Sequence, residues 1–188
     1  MSLLPVIQIG WWNAWIFMVW LILFPFLFQW CIKEKEVATT IRTSVPMKYE
    51  TAMNIASTAA VIGGVLYSIV LPLQISSPLF FIGGGMFICS FLVHLWILIT
   101  LRQTPADSPF MTGPYRYSRH PIYIADVLLL SSVVLMTFSI VISLVLIICI
   151  LHQLLVMPAE EQYCVEKYGK VYQEYLNNTP RLLGLGKK

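Results

Sequence analysis

Residues 121–161 read PIYIADVLLLSSVVLMTFSIVISLVLIICILHQLLVMPAEE. From Ile122 to Met157 this block is apolar apart from Asp126 and a few uncharged polar side chains. That is about twice the roughly 20 residues one helix needs to cross the hydrocarbon core of a bilayer. Its break falls near the middle, at Thr137-Phe138-Ser139. The pattern predicts two short spans, residues 121–137 and 140–157, joined by a tight turn. Such a hairpin returns its two ends to one level, so Arg119 and His120 before it meet Glu160 and Glu161 after it.

The rest of the chain has the same character. Its 188 residues are 58% hydrophobic and 11% charged, with a mean hydropathy of +0.77. A water-soluble domain must cover itself with charge, and too little is present here. Three more apolar stretches, residues 11–30, 52–71 and 79–101, are each long enough for one crossing. The first has no charged residue before Lys33 and is too long and too Trp-rich for a signal peptide. Trp11, Trp12 and Trp15 at one end of it and Trp30 at the other fit the aromatic belts of the two membrane interfaces. The prediction is an all-α integral membrane protein with five transmembrane helices in a single membrane domain, residues 1–188.

Basic residues alternate with the spans. Lys33, Lys35, Arg42 and Lys48 follow the first; Arg102, Arg116 and Arg119 follow the third; Lys167, Lys170, Arg181, Lys187 and Lys188 follow the fifth. Under the positive-inside rule this places the N-terminus outside and the C-terminus in the cytoplasm, with residues 102–120 and 158–188 on the cytoplasmic side. The net charge of +3 is explained by topology and anionic headgroups, so it is no sign of a nucleic-acid partner, and none is expected. Cys31, Cys89, Cys149 and Cys164 have no paired spacing, so neither a disulfide framework nor a metal site is expected. Gly63-Gly64 and Gly83-Gly84-Gly85 are expected to let helices approach closely, and His94 and His152 to bond helix to helix.

The loop from Arg102 to Arg119 holds Pro105, Pro109, Gly113 and Pro114, so it is irregular. After Pro158, apolar residues at steps of three and four predict an amphipathic helix over residues 159–177, weakened at Gly169 and packed back over the loop. Pro121 suits the first turn of a helix. The unpaired backbone donors there, with Arg119 and His120, make a seat for an anion. Glu160 and Glu161 add negative charge beside it, and the combination suits a zwitterionic ligand. The plainer alternative is that Arg119 snorkels to the interface and the glutamates cap a helix. Against that, ionisable groups at membrane level tend to face a cavity and pair, and Asp126 lies one turn beyond Tyr123.

The order Gly113-x-Tyr115-x-x-x-Arg119-His120-Pro121-x-Tyr123, an apolar hairpin, Glu160-Glu161, then Lys167-Tyr168-Gly169-x-x-Tyr172-x-x-Tyr175 and Arg181 resembles the isoprenylcysteine carboxyl methyltransferase family. The related phospholipid N-methyltransferases share much of the pattern. The resemblance covers about residues 107–183 and implies a membrane enzyme that uses S-adenosylmethionine without a Rossmann domain or a metal. It implies that Asp107, Ser108, Pro109, Phe110 and Tyr115 line the adenosine pocket. His120, Pro121, Ile122 and Tyr123 then border the amino acid end of the cofactor, while Glu160, Glu161 and Arg119 serve catalysis. Two positions depart from the family: Asp107-Ser108-Pro109-Phe110 stands where His-x-Leu-Val is common, and Val156 stands where carboxyl-methylating members have an arginine. Val156 and Glu160 mark the substrate side, and the acceptor is expected to be lipid-like, reaching the site sideways from the bilayer. Membrane sterol and steroid reductases, which use NADPH, share part of the C-terminal pattern and are the rival reading. Oligomeric state is not encoded in any of these features.

Overall fold

The computed structural model describes residues 10, 12–32, 50–105 and 107–182. Trp11, Lys33, Lys35, Arg42, Lys48, Lys187 and Lys188, invoked above for topology and anchoring, lie outside the described residues. Within them the chain is helical, with no strand beyond an isolated bridge between Asn13 and Pro72. In chain order the helices are α1 (Trp15–Met18), α2 (Trp20–Cys31), α3 (Glu50–Ser68), α4 (Pro78–Gln103), α5 (Pro121–Thr137), α6 (Ile140–Tyr168) and α7 (Lys170–Asn178), with a 3-10 turn at Gly113–Arg116.

Among the described residues, three helices are long and apolar enough to cross a membrane: Thr51–Ser68, Pro78–Gln103 and Ile140–Tyr168. Trp15–Cys31 and Pro121–Thr137 are apolar but shorter. At 1.5 Å per residue each of these two reaches about 25 Å, against the roughly 30 Å of a bilayer's hydrocarbon core.

The hairpin forms for local reasons. Pro121 opens α5, where its missing N–H costs nothing. Phe138 closes it in the left-handed region at φ 51°, with its N–H bonded to Val134 O. Ser139 then caps α6 by accepting from Ile142 N at 3.4 Å. The turn between the helices is thus two residues long.

Pro158 does not end the second arm. The helix expected to stop at Met157, with a separate one over 159–177, instead runs on to Tyr168 and breaks at Gly169, whose φ is +60°. Proline removes one backbone hydrogen bond, but Met157, Glu161 and Tyr163 on either side of it are all buried. Their tertiary anchoring outweighs the local defect. A helix of 29 residues is about 43 Å long, so its Glu160 end projects well beyond what one crossing consumes.

The most extensive helix contact is between α4 and α5. A Cβ on Gly83 would sit 2.7 Å from both Met136 Cγ and Ser132 O, so the two backbones touch where that side chain is missing. Gly64 meets Val145, whereas Gly63, Gly84 and Gly85 face open space and take no part in close packing. Polar side chains tie the same interfaces. Ser90 Oγ donates to Ala125 O at 2.7 Å, His94 Nε2 lies 3.2 Å from Asp126 Oδ1, and His152 Nε2 lies 2.6 Å from Asn54 Oδ1 between α6 and α3. At the far end of the bundle, Ala14 N donates to Leu71 O at 3.0 Å and Gln74 N to Met136 O at 2.8 Å. Trp12 and Trp30 remain exposed at opposite ends of the first apolar segment, with the Arg102 guanidinium 4.4 Å over the Trp30 ring.

Replacing Gly83 by Ala overpacks this contact and is expected to cost about 1–3 kcal/mol. Gly84→Ala adds helix propensity without a clash. The melting temperature of the detergent-purified protein therefore falls for the first substitution and does not fall for the second.

Candidate active site

The polar end of the bundle is assembled from three segments distant in sequence. Gly113, at φ +58°, presses against the Thr100 side chain, and a Cβ there would collide with it. This seats the irregular loop on α4 and turns the buried Tyr115 inward. Tyr175 of α7 donates to Tyr115 O at 2.7 Å. Beyond α7, Pro180 O accepts from Arg119 N at 3.0 Å and Arg181 O accepts from Ser118 Oγ at 3.1 Å. The C-terminal segment thus straps the loop onto the hairpin.

At the centre is Glu161, 6% exposed. Its Oε1 is 3.0 Å from Arg119 Nη1, 3.1 Å from His120 Nε2 and 2.9 Å from Arg181 Nε, and its Oε2 is 2.6 Å from Arg181 Nη2. The Arg181 pair is bidentate, the strongest geometry for a guanidinium and a carboxylate. Glu160, one residue earlier, points elsewhere: Tyr123 OH donates to its Oε1 at 2.7 Å, and His120 Nδ1 lies 3.5 Å from its Oε2.

His120 therefore stands between two carboxylates, one at each ring nitrogen. Burial by itself lowers the pKa of an imidazole, but hydrogen bonds to Glu160 and Glu161 and their charges more than offset this, and the net direction is upward from 6.5. Only the protonated ring donates from both nitrogens. Its face stacks on Tyr123, with rings 4° from parallel and centroids 5.4 Å apart. With His120 charged, the cluster has three cations against two anions, a surplus of one positive charge. Arg119 Nε is buried and has no hydrogen-bond partner among the described residues.

A cavity of about 160 Å³ opens beside this cluster. Of the residues anticipated from sequence, Pro109, Phe110, Tyr115, Arg119, His120, Pro121, Ile122, Tyr123 and Glu160 line it. Four anticipated residues do not. Asp107 is exposed, Ser108 bonds back to Pro105 O at 3.1 Å, Val156 borders neither this cavity nor its neighbour, and Glu161 is consumed by its three cationic partners. Phe28, Tyr163, Cys164, Tyr168 and Tyr172 complete the wall. Tyr163, Cys164 and Tyr168 were not anticipated, although their helical spacing from Glu160 is a signal for them. Phe28 of α2 carries no motif and is placed by packing alone. Burial pushes the Tyr115 and Tyr172 phenols above their ordinary value, so the wall is aromatic and uncharged.

A second space, a groove of about 870 Å³, adjoins the cavity. Phe28, Phe110, Ile122, Tyr123 and Glu160 border both. The groove runs between α2, α3 and α5, past Ile62 and Phe26, whose side chains are exposed.

Neither a curated protein nor a solved structure matches the chain. A family model for phospholipid methyltransferases matches residues 78–171. Those residues take in α4, the irregular loop, the whole hairpin and both glutamates. The match covers half of the chain, and the protein belongs to the phospholipid methyltransferase family.

Proposed function

We propose that this protein transfers a methyl group from S-adenosylmethionine to an amphiphilic acceptor drawn from the bilayer. The observation that carries the reading is the shared wall of the two spaces: the cavity with the charged cluster and the groove between helices meet at Tyr123 and Glu160. Family membership supplies the reaction class. It also favours methyl transfer over the NADPH-dependent reductase reading.

The residues present fit the cofactor. The surplus positive charge and Arg119 Nε, without a partner among the described residues, suit its carboxylate, Glu160 suits its ammonium, and the ring of aromatic side chains suits its adenine. Bound there, the cofactor supplies a methyl carbon made electrophilic by a sulfonium. The protein then has mainly to align the acceptor and to exclude water, since charge is dispersed rather than created in the displacement. Arg119, His120 and Glu160 hold the cofactor end. Tyr123 sets the direction of the Glu160 carboxylate. Glu161 fixes Arg119 and His120 rather than touching the reactants. An acceptor that must shed a proton can pass it to Glu160.

We read the full topology as five crossings, N-terminus outside and the charged cluster in the cytoplasm. The two helices that fall short of the bilayer thickness are accommodated by neighbouring longer spans or local thinning. A carboxylate acceptor such as a prenylated cysteine finds no arginine among the described residues of the groove, and of the two that could stand in for the one missing at Val156, Arg181 is bound to Glu161 and Arg116 is exposed.

Ligand linkage provides the first test. At about 100 times its Kd the cofactor should stabilise the purified protein by roughly 2.7 kcal/mol, and NADPH should not stabilise it. Arg119→Ala should weaken cofactor affinity ten- to a hundredfold, matching the roughly 1.5–3 kcal/mol of a hydrogen bond to a charged group. Equal stabilisation by NADPH would overturn the reading. A second test uses pH. Because His120 holds its proton more tightly folded than unfolded, its contribution is complete below about 6.5 and is lost as pH rises through the raised folded value. The melting temperature should therefore decline over that window in the wild type, and the His120→Gln protein should lack this component.

A further inference from the structure

The groove wall carries a carboxylate that the site described above does not use. Asp126 lies one helical turn beyond Tyr123 on the same face of α5, about 4.5 Å farther from the helix start. It borders the groove and not the cavity. Its side chain is 25% exposed, in a region otherwise lined mostly by apolar groups. A carboxylate in such surroundings is costly unless something holds it.

What holds it is His94 of α4, which is fully buried. Trp20 Nε1 donates to His94 Nδ1 at 3.3 Å. An indole N–H can only donate, so Nδ1 is the acceptor and the ring proton sits on Nε2, 3.2 Å from Asp126 Oδ1. Trp20 and His94 thus orient the carboxylate through one defined tautomer, drawing on three helices. His94 is the only hydrogen-bond partner of Asp126 among the described residues. The bond fixes one oxygen and leaves the second available to the groove. Among the described residues Asp126 and Glu160 are the charged members of the wall, and no lysine or arginine joins them.

We infer that Asp126, positioned by His94 and Trp20, receives the ammonium head of an amphiphilic amine whose apolar tail lies in the groove between α2, α3 and α5. The inference rests on the methyl-transfer reading for its chemistry, and on charge complementarity for its ligand. Both charged groups of the groove are acidic, so a cationic head is attracted and an anionic one repelled. The head lies in reach of the shared wall at Tyr123 and Glu160. There Glu160 would take one proton from the ammonium and free the nitrogen lone pair; S-adenosylmethionine, held by Arg119, His120 and Glu160, would supply the methyl group and leave as the neutral thioether, with the acceptor becoming a methylated ammonium. The proton on Glu160 returns to water through the cavity.

The test uses the full chain in detergent and in vesicles. Docking is measured first, without chemistry, as thermal stabilisation by a single-chain alkylammonium compared with the alcohol of equal chain length. The wild type should be stabilised by the amine at a concentration at least tenfold lower than by the alcohol. Asp126→Asn keeps an oxygen for the His94 N–H and should lose that preference while its stabilisation by S-adenosylmethionine stays unchanged. Trp20→Phe, which removes the indole donor, should narrow the preference in part. Methyl transfer is then followed from labelled cofactor to ethanolamine phospholipid vesicles, the alkylamine and a prenylcysteine. Amine acceptors should be methylated, with KM raised at least tenfold by Asp126→Asn. Equal stabilisation of the wild type by amine and alcohol, retention of the preference in Asp126→Asn, or preferred methylation of the prenylcysteine would each overturn the inference. Amine preference with no cofactor binding would instead overturn the methyltransferase reading and leave the amine site standing.

Discussion

The site depends on one buried carboxylate. Glu161 draws Arg119, His120 and Arg181 to itself, and these come from the start of α5 and from the chain beyond α7. An ion taken out of water costs several kcal/mol unless its partners satisfy it, and Glu161 has four contacts at 3.1 Å or less. The same contacts leave three cations ordered around one point. Breaking them by removing the carboxylate would strand those charges, so loop, hairpin and C-terminal segment stand or fall together. Glu161 is therefore a structural keystone, whereas its neighbour Glu160 faces the cavity.

The two glutamates show how one helix serves two solvents. Consecutive residues on a helix point about 100° apart, so Glu161 turns into the strap and Glu160 into the cavity. Tyr123 and Asp126 share one face of α5, the first bonded to Glu160 at the wall common to both spaces and the second, one turn on, bordering the groove alone. The proposed methyl transfer, between a water-borne cofactor and a lipid-borne acceptor, needs separate approaches to one reacting point. A helical hairpin whose arms present different polarity at successive turns supplies both without a separate domain.

Pro158 and Gly169 show where local reading fails. Proline is the stronger local breaker, yet the helix passes it and stops at the glycine. The deciding terms are the burial of Met157 before the proline and of Glu161 and Tyr163 after it, which no window of sequence contains. The glycine runs behave alike: of Gly83-Gly84-Gly85 only the first touches another helix, since a rotation of 100° per residue sends each to a different face and packing selects one.

The sequence by itself determined the helical class, the apolar hairpin and the meeting of Arg119-His120 with Glu160-Glu161. Each of these follows from span length, from turn chemistry, or from the rule that two arms of similar length return to one level. Tertiary structure alone decided which glutamate is buried, that Arg181 binds Glu161, that Phe28 walls the cavity, and that Trp20, His94 and Asp126 form a chain across three helices. Those facts depend on the rotation of each helix about its axis and on contacts between segments 20 or more residues apart. Periodicity names the faces of a helix; only packing says which neighbour each face meets.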